Sequence, residues 1–136
     1  MTKSMPVVQK YMSTDIQTIG DEQTMLMAHR LMREGAFRHL PVLHQGKLVG
    51  MVSDRDLNLL ETLSTVDPKL VPVSEAMNAN PYVVAPDTSL AEVVGTMAEK
   101  KYGAAVVCDN HKVVGIFTTV DACGALATLL ATRLAT

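Results

Sequence analysis

The spacing of apolar residues near the start of the chain predicts an amphipathic helix. Met25, Ala28, Leu31 and Met32 recur at three- and four-residue intervals, so their side chains fall on one face. Acidic residues at positions 21 and 22 favour the start of this helix, because negative charge stabilises a first helical turn. Gly35 is placed to end it, since glycine accepts the left-handed conformation that often follows a helix.

Short apolar runs around this helix predict strands at residues 16–19, 40–43 and 47–52. Gln45-Gly46 separates the last two runs and predicts a hairpin turn. Pro41 has no backbone N–H, so its strand is expected to start there or to lie at a sheet edge. Ser53 then caps a helix that runs through Leu63, and the order is strand, helix, strand, strand, helix.

A second copy of this order follows 65 residues further along the chain, without a gap. The segments 50–56 (GMVSDRD) and 115–121 (GIFTTVD) share a glycine, two apolar residues, a hydroxyl residue and an aspartate. A repeat that keeps its register indicates one supersecondary unit used twice. We therefore predict an α/β protein with repeats at 7–63 and 73–130, joined by a linker at 64–72.

The remaining elements are predicted from the same kinds of pattern. A helical lead-in is expected at 7–12, and the second repeat should begin with a strand at 82–84 and a helix with a Ser89/Glu92 capping box. A hairpin of 104–108 and 113–117, turning at Asp109-Asn110, and a helix from Asp121 should follow.

Composition narrows the classes of function. Of the 136 residues, 48% are apolar and 19% are charged, which is the balance of a packed protein. The net charge of −2 disfavours general nucleic-acid binding, which needs a basic face. We see no leader in the first six residues, no apolar run long enough to span a membrane, and no disulfide or metal spacing at Cys108 and Cys123. These features predict a cytoplasmic protein with two buried free thiols.

Several of these stretches, taken in order and in duplicate, resemble the cystathionine-β-synthase domain, or CBS domain. They are Met12–Ile19 with Asn80–Asp87, Arg38-His39-Leu40-Pro41-Val42, and the two glycine-to-aspartate motifs. The resemblance extends from Val7 to Thr128. It implies a Bateman module, in which two CBS repeats pack sheet to sheet and adenosine-containing ligands bind in clefts between the repeats.

The resemblance also implies a set of ligand-binding residues. In the family, the motif aspartate binds the ribose hydroxyls and the motif Ser or Thr reaches the phosphate. Cations at the start of the second strand meet the phosphate, and the first strand forms the edge of the adenine pocket. In this chain the matching residues are Asp56 with Ser53, Asp121 with Thr118, Arg38 with His39, and the first-strand residues Thr18, Ile19, Val83 and Val84.

The chemistry of the motifs agrees with these roles, but it also allows a purely structural one. A carboxylate accepts two hydrogen bonds at once, which suits the vicinal diol of ribose. Each motif lies where a strand turns into a helix, so free backbone N–H groups and the helix dipole favour an anion. Ser-x-x-Asp and Thr-x-x-Asp are equally typical of capping boxes, in which each pair closes only its own helix.

Cationic residues distinguish the two repeats. Arg38, His39 and Arg55 flank the first motif, and a guanidinium group binds phosphate oxygens in a two-pronged way. The second repeat has glycine, alanine and valine at the matching positions 103, 104 and 120. We therefore expect a charged nucleotide to fill one site per chain well before the other.

Two classes of function fit these residues. The first is a regulatory module that senses AMP, ADP, ATP, NAD or S-adenosylmethionine and signals to a separate partner protein. The second is a structural or interaction module with no tight ligand. No nucleophile occurs with a base and an orienting group, and the histidines lack metal-ligand spacing, so we expect no enzyme, no metal site and no required cofactor. The helices have surplus apolar residues, and the resemblance implies a homodimer of modules that would bury Leu57, Leu60, Ala122 and Leu126.

Overall fold

The computed structural model describes residues 5–134 and confirms the predicted α/β order in both repeats. The strands are β1 (Ile19–Gly20), β2 (His39–His44), β3 (Lys47–Ser53), β4 (Val83–Val84), β5 (Ala104–Asp109) and β6 (Lys112–Thr118). The helices are α1 (Met25–Gly35), α2 (Asp54–Glu61), α3 (Leu90–Lys100) and α4 (Thr119–Leu134), with 3-10 turns at Val8–Lys10 and Val73–Glu75. Residues 1–4, on which part of the expectation about a leader rests, lie outside this description.

The chain divides into two compact units. The Asp56 unit comprises Ile16–Pro81, and the Asp121 unit comprises residues 5–15 together with residues 82–134. Each unit holds a three-stranded sheet, with strand order β1-β2-β3 in the first and β4-β5-β6 in the second. In both sheets a short parallel strand lies beside an antiparallel hairpin, so the repeated sequence gives the same topology twice.

The segment that leads into each repeat pairs with the third strand of the other repeat. Ser13 and Ile116 exchange two backbone hydrogen bonds of 2.8 and 3.0 Å. Asn78 and Met51, the equivalent residues, exchange the same pair at 2.8 and 3.0 Å. Each compact unit therefore contains the sheet of one repeat and the lead-in segment of the other.

The glycine of each motif is explained by the packing of these lead-in segments. A Cβ atom on Gly50 would lie 2.6 Å from Sδ of Met77 and 2.8 Å from the carbonyl oxygen of Asn78. A Cβ atom on Gly115 would lie 2.6 Å from Sδ of Met12. Met12 and Met77 are themselves equivalent positions of the repeat. The same close contact between a lead-in segment and a motif glycine therefore occurs in both units.

Each unit has its own apolar core, built from one face of its helices and sheet. Met25, Leu40 and Leu57 are fully buried in the Asp56 unit, and Val93 and Phe117 are fully buried in the Asp121 unit. The burial of Met25 at the start of α1 follows the predicted helical stripe. Leu57 has 0% exposed surface, so its expected place in a dimer interface is wrong.

The ends of α1 differ from the prediction. The helix starts after Thr24, whose hydroxyl accepts a hydrogen bond from the Met27 amide at 3.2 Å, and not at the acidic residues before it. At the other end Gly35 is still helical, and Ala36 takes the left-handed conformation with φ of 57°. Gly35 leaves room for the ring of Phe37, which a Cβ atom at this position would displace.

Pro41 lies inside β2, the central strand of its sheet, so the expected strand start or edge position is wrong. At the equivalent position of the second sheet, the Val106 amide donates to the Tyr82 carbonyl at 2.8 Å. Proline cannot make this hydrogen bond. β1 is confined to Ile19–Gly20 instead of 16–19, and it pairs with β2 only beyond Pro41.

Both hairpins turn through two residues with positive φ, as in type I′ turns. These are Gln45 and Gly46, with φ of 50° and 82°, and Asn110 and His111, with φ of 51° and 67°. The second turn therefore lies one residue later than predicted, because Asp109 still pairs with Lys112 in the sheet.

Candidate functional site

The first motif lies at the corner between β3 and α2 and forms a complete capping box. The Ser53 amide donates to Oδ2 of Asp56 at 2.9 Å, and the Asp56 amide donates to Oγ of Ser53 at 3.1 Å. These bonds satisfy N–H groups that have no partner within the helix. Among the described residues, no hydrogen bond reaches Oδ1 of Asp56. This carboxylate therefore keeps one oxygen for another donor.

The second motif lies at the equivalent corner between β6 and α4, and its carboxylate is more fully occupied. Both the amide and the hydroxyl of Thr118 donate to Oδ2 of Asp121, at 2.9 and 3.2 Å. The hydroxyl of Ser13 lies 3.1 Å from Oδ1 and 3.2 Å from Oδ2 of the same carboxylate. Both oxygens of Asp121 thus have donors within the protein.

The sequence analysis did not single out Ser13 or its equivalent, Asn78. Among the described residues, the side chain of Asn78 makes no hydrogen bond to Asp56, and its Oδ1 accepts from the Asn80 amide at 3.0 Å. The only signal in the sequence was the repeat pair Met12 and Met77, which directly precede these two residues. The two corners have the same backbone pairing, but only at the second corner does the lead-in side chain bond to the aspartate.

The expected cations of the first repeat lie beside carboxylates. Arg38 precedes β2, and its carbonyl accepts a hydrogen bond from the Asp54 amide at 3.1 Å. Burial lowers the pKa of the His39 imidazole, and Arg38 acts in the same direction against the carboxylates of Asp54 and Asp56. His39 is therefore neutral at pH 7, and it would meet a phosphate through a hydrogen bond. Arg55 is exposed in the first turn of α2.

Two pockets lie around this corner within the Asp56 unit. A polar pocket of about 470 Å³ is lined by His29, Met32, Arg33, Ala36, Phe37, Arg38, Asp54 and Asn58. A second pocket, of about 300 Å³, is lined by Asp56, Leu59, Leu60, Thr62, Leu63, Glu75 and Ala76. The linings of the two pockets differ in chemistry. The first pocket is lined by guanidinium groups, whereas the second has a carboxylate beside apolar side chains.

The first-strand residues fall into two groups. Ile19 and Val84 belong to the apolar cores, with 4% and 8% of their surface exposed, so their side chains are not free to contact a ligand. Thr18 is half-buried, and Val83 is 45% exposed. In β4 the alternation of Val83 and Val84 follows from the strand itself, in which successive side chains point to opposite faces. Thr18 lies directly before β1.

The remaining features of the described residues concern metal ligands, membrane-spanning helices and the two cysteines, which differ in burial. Within residues 5–134, no group of three or more His, Cys, Asp or Glu side chains is placed to hold a metal ion. None of the helices described there combines the length and the apolar character needed to cross a membrane. Burial raises the pKa of the half-buried Cys108 thiol. Cys123 is exposed on α4, so the expectation that both thiols are buried is wrong.

Comparison with known proteins places this fold in a family. The family model of the CBS domain matches residues 8–59 and 73–128. The chain is 32% identical to the CBS domain-containing protein YhcV of Bacillus subtilis over 117 residues, which cover 86% of this chain and 83% of that protein. It resembles the crystal structure of a Vibrio cholerae protein assigned to acetoin utilization, AcuB, with a TM-score of 0.84, 29% identity and 98% of both chains covered.

A third relative has been crystallised with a nucleotide. The structure of CBSX2 in complex with AMP matches with a TM-score of 0.75 and 26% identity, covering 90% of this chain and 97% of that one. The duplicated topology, the two motif corners and the family model, which matches most of the chain, lead to one assignment. The chain belongs to the CBS domain family and carries two CBS domains in tandem.

Proposed function

We propose that this chain is a regulatory module that binds an adenosine-containing nucleotide and signals its presence to a separate protein in the cytoplasm. The repeats 7–63 and 73–130, joined by residues 64–72, each supply one ligand corner. The ligand class comprises AMP, ADP, ATP, NAD and S-adenosylmethionine, and the protein has no catalytic role of its own. The complex of the relative CBSX2 with AMP supports this class.

The carboxylate of Asp56 is the observation that carries the proposal. Its Oδ2 caps α2, while its Oδ1 has no donor among the described residues. A ribose diol supplies two adjacent O–H donors, which suit a carboxylate that still has unused lone pairs. The pocket of about 300 Å³ that Asp56 lines has the size expected for a small-molecule site, at its lower limit.

The phosphate is assigned to the cations near the start of β2. Arg38 and Arg55 supply guanidinium groups, and Ser53 adds a hydroxyl at the N-terminus of α2. Thr118 and Asp121 form the second corner. The first-strand residues are assigned to the adenine base, Thr18 and Ile19 in the Asp56 unit and Val83 and Val84 in the Asp121 unit. The second corner has no matching cation at positions 103, 104 and 120, so we assign the strong site to Asp56.

Calorimetry with AMP tests this function. We expect about one strong site per chain, because only the Asp56 corner combines a free carboxylate oxygen with cations. Its affinity should fall as salt is added, since ions screen the pairing between phosphate and guanidinium. Adenosine is the control, because it keeps the diol and lacks the phosphate.

Three results would contradict the assignment. They are the absence of binding, two equal sites per chain, and a strong site that is unchanged by Arg38→Ala and Arg55→Ala together. The alternative function, a structural or interaction module without a tight ligand, is favoured by the capping boxes at both corners. In that case no adenine nucleotide would raise the melting temperature of the protein in a thermal-shift screen.

We also propose that the protein is a homodimer, formed through α4. No charged residue occurs between Asp121 and Arg133, and Leu126, Leu129 and Leu130 are 56%, 42% and 48% exposed. Ala125, with 3% of its surface exposed, is the only buried residue of α4 within the described part of the chain. An exposed row of leucines on a helix is stabilised when it is covered, and a second copy supplies a matching face.

The equivalent helix pair in the Asp56 unit lacks this character. Val94 and Leu126, which line an apolar groove of about 430 Å³, correspond to His29 and Glu61. His29 Nε2 lies 2.8 Å from a carboxylate oxygen of Glu61. One helix pair is therefore closed by polar groups, whereas the other presents apolar side chains. We therefore assign the dimer interface to the apolar helix pair of the Asp121 unit, α3 and α4.

Leu126→Glu should convert the dimer into a monomer at micromolar concentration, as measured by light scattering. The introduced carboxylate would be buried without a partner in the interface, which is unfavourable. Leu59→Glu is the matched control, because Leu59 is 69% exposed on α2 and should leave the mass unchanged. A monomeric wild type, or a Leu126→Glu variant that remains a dimer, would rule out this interface.

A further inference from the structure

We propose that Ser13 weakens ligand binding at the second corner, by occupying the carboxylate that the ribose would need at Asp121, and so adds to the difference in affinity that the cations create. This inference rests on the proposed function and adds to it a residue that lowers the affinity of one site. Ser13 lies outside the motif and 108 positions away from Asp121 in the sequence. It is therefore a selectivity-determining residue supplied by the lead-in segment.

The geometry places the Ser13 hydroxyl where a ligand hydroxyl would bind. Its Oγ lies 3.1 and 3.2 Å from the two carboxylate oxygens of Asp121, so it is shared between them. A ribose diol would use the same two acceptors. With Thr118 also donating to Oδ2, a ligand gains less from this carboxylate, because a hydrogen bond inside the protein is lost when the ligand binds.

The backbone holds Ser13 in this place. Its amide and carbonyl both bond to Ile116, at 2.8 and 3.0 Å, directly beside the motif. Only rotation of the side chain is needed to release Asp121, so the lead-in segment stays paired when the hydroxyl turns away. Ser13 therefore weakens binding at this corner without closing it.

The other corner serves as an internal comparison. Asn78 has the same backbone pairing, with Met51 at 2.8 and 3.0 Å, yet its side chain bonds to the Asn80 amide. Asp56 consequently keeps a free oxygen, while Asp121 does not. Ser13 and Asn78 are equivalent positions with different side chains, so their effects can be tested by exchanging them through mutation.

The experiment measures AMP and adenosine binding by calorimetry in a variant whose first corner is weakened, Asp56→Asn. Addition of Ser13→Ala should tighten the remaining site by about three- to tenfold, the effect of one hydrogen bond. Thr14→Ala is the matched control, because this neighbouring hydroxyl is exposed and should not change the affinity. In the otherwise unchanged protein, Asn78→Ser should weaken the strong site by a similar factor.

The outcomes separate this inference from the function on which it rests. If AMP binds the wild type and Ser13→Ala leaves the second site unchanged or weaker, Ser13 is not a competitor and the inference fails while the function stands. If Ser13→Ala tightens the site and Thr14→Ala does not, the inference is supported. If neither AMP nor adenosine binds any of these proteins, the proposed function fails and this inference fails with it.

Discussion

Asp56→Asn should weaken AMP binding by about ten- to a hundredfold while the stability of the fold changes little. The factor corresponds to about 1.5–3 kcal/mol for hydrogen bonds to a charged group. The asparagine oxygen can still accept from the Ser53 amide, which now bonds to Asp56 at 2.9 Å, so the cap of α2 is kept. The second acceptor and the negative charge are lost, and these are the features that a diol requires.

The matched variants separate ligand binding from capping. Asp56→Ala removes both the acceptor for the ligand and the cap of α2. It should therefore also lower the free energy of unfolding by about 1 kcal/mol, the usual effect of a lost cap. Asp121→Asn should have a smaller effect on AMP binding, because its carboxylate already accepts from Ser13 and Thr118. If Asp56→Asn binds AMP like the wild type, Asp56 is a helix cap and has no part in a nucleotide site.

Gly50→Ala should lower the free energy of unfolding by about 2–3 kcal/mol, as expected for overpacking at a site that cannot relax. The new methyl group would lie 2.6 Å from Sδ of Met77 and 2.8 Å from the Asn78 carbonyl oxygen. The thioether can move, but the carbonyl accepts a hydrogen bond from the Met51 amide at 3.0 Å. Relief of the clash therefore breaks the pairing that joins the lead-in to β3.

Substitutions at two other glycines serve as controls, and chemical denaturation measures the free energy of unfolding of all three variants. Gly115→Ala should destabilise less, by about 1 kcal/mol, because its near neighbours are only side-chain atoms of Met12. Gly95→Ala should stabilise by about 0.5–1 kcal/mol, since this position lies within α3 and has no atom within 4 Å of the added Cβ. Equal stability of Gly50→Ala and the wild type would contradict the close packing of the lead-in.

The local patterns of the sequence determined the element order and its duplication. The spacing of Met25, Ala28 and Met32 predicted a buried helix face, and these residues are buried. The glycine-to-aspartate motifs predicted strand-to-helix corners with capping boxes, as found at Ser53 and Thr118. Each of these features depends on residues a few positions apart, so periodicity and cap chemistry are sufficient to specify it.

The tertiary structure alone decided which segments meet. The pairing of each lead-in with the other repeat joins residues such as Ser13 and Ile116, which no periodic pattern connects. It also decided that Leu57 belongs to a core while Leu126 lies on a surface, since equal hydrophobicity does not reveal what covers a helix. The difference between the two corners arises in the same way. Both aspartates have the same motif, but only the folded chain brings a hydroxyl from 108 residues away onto one of them.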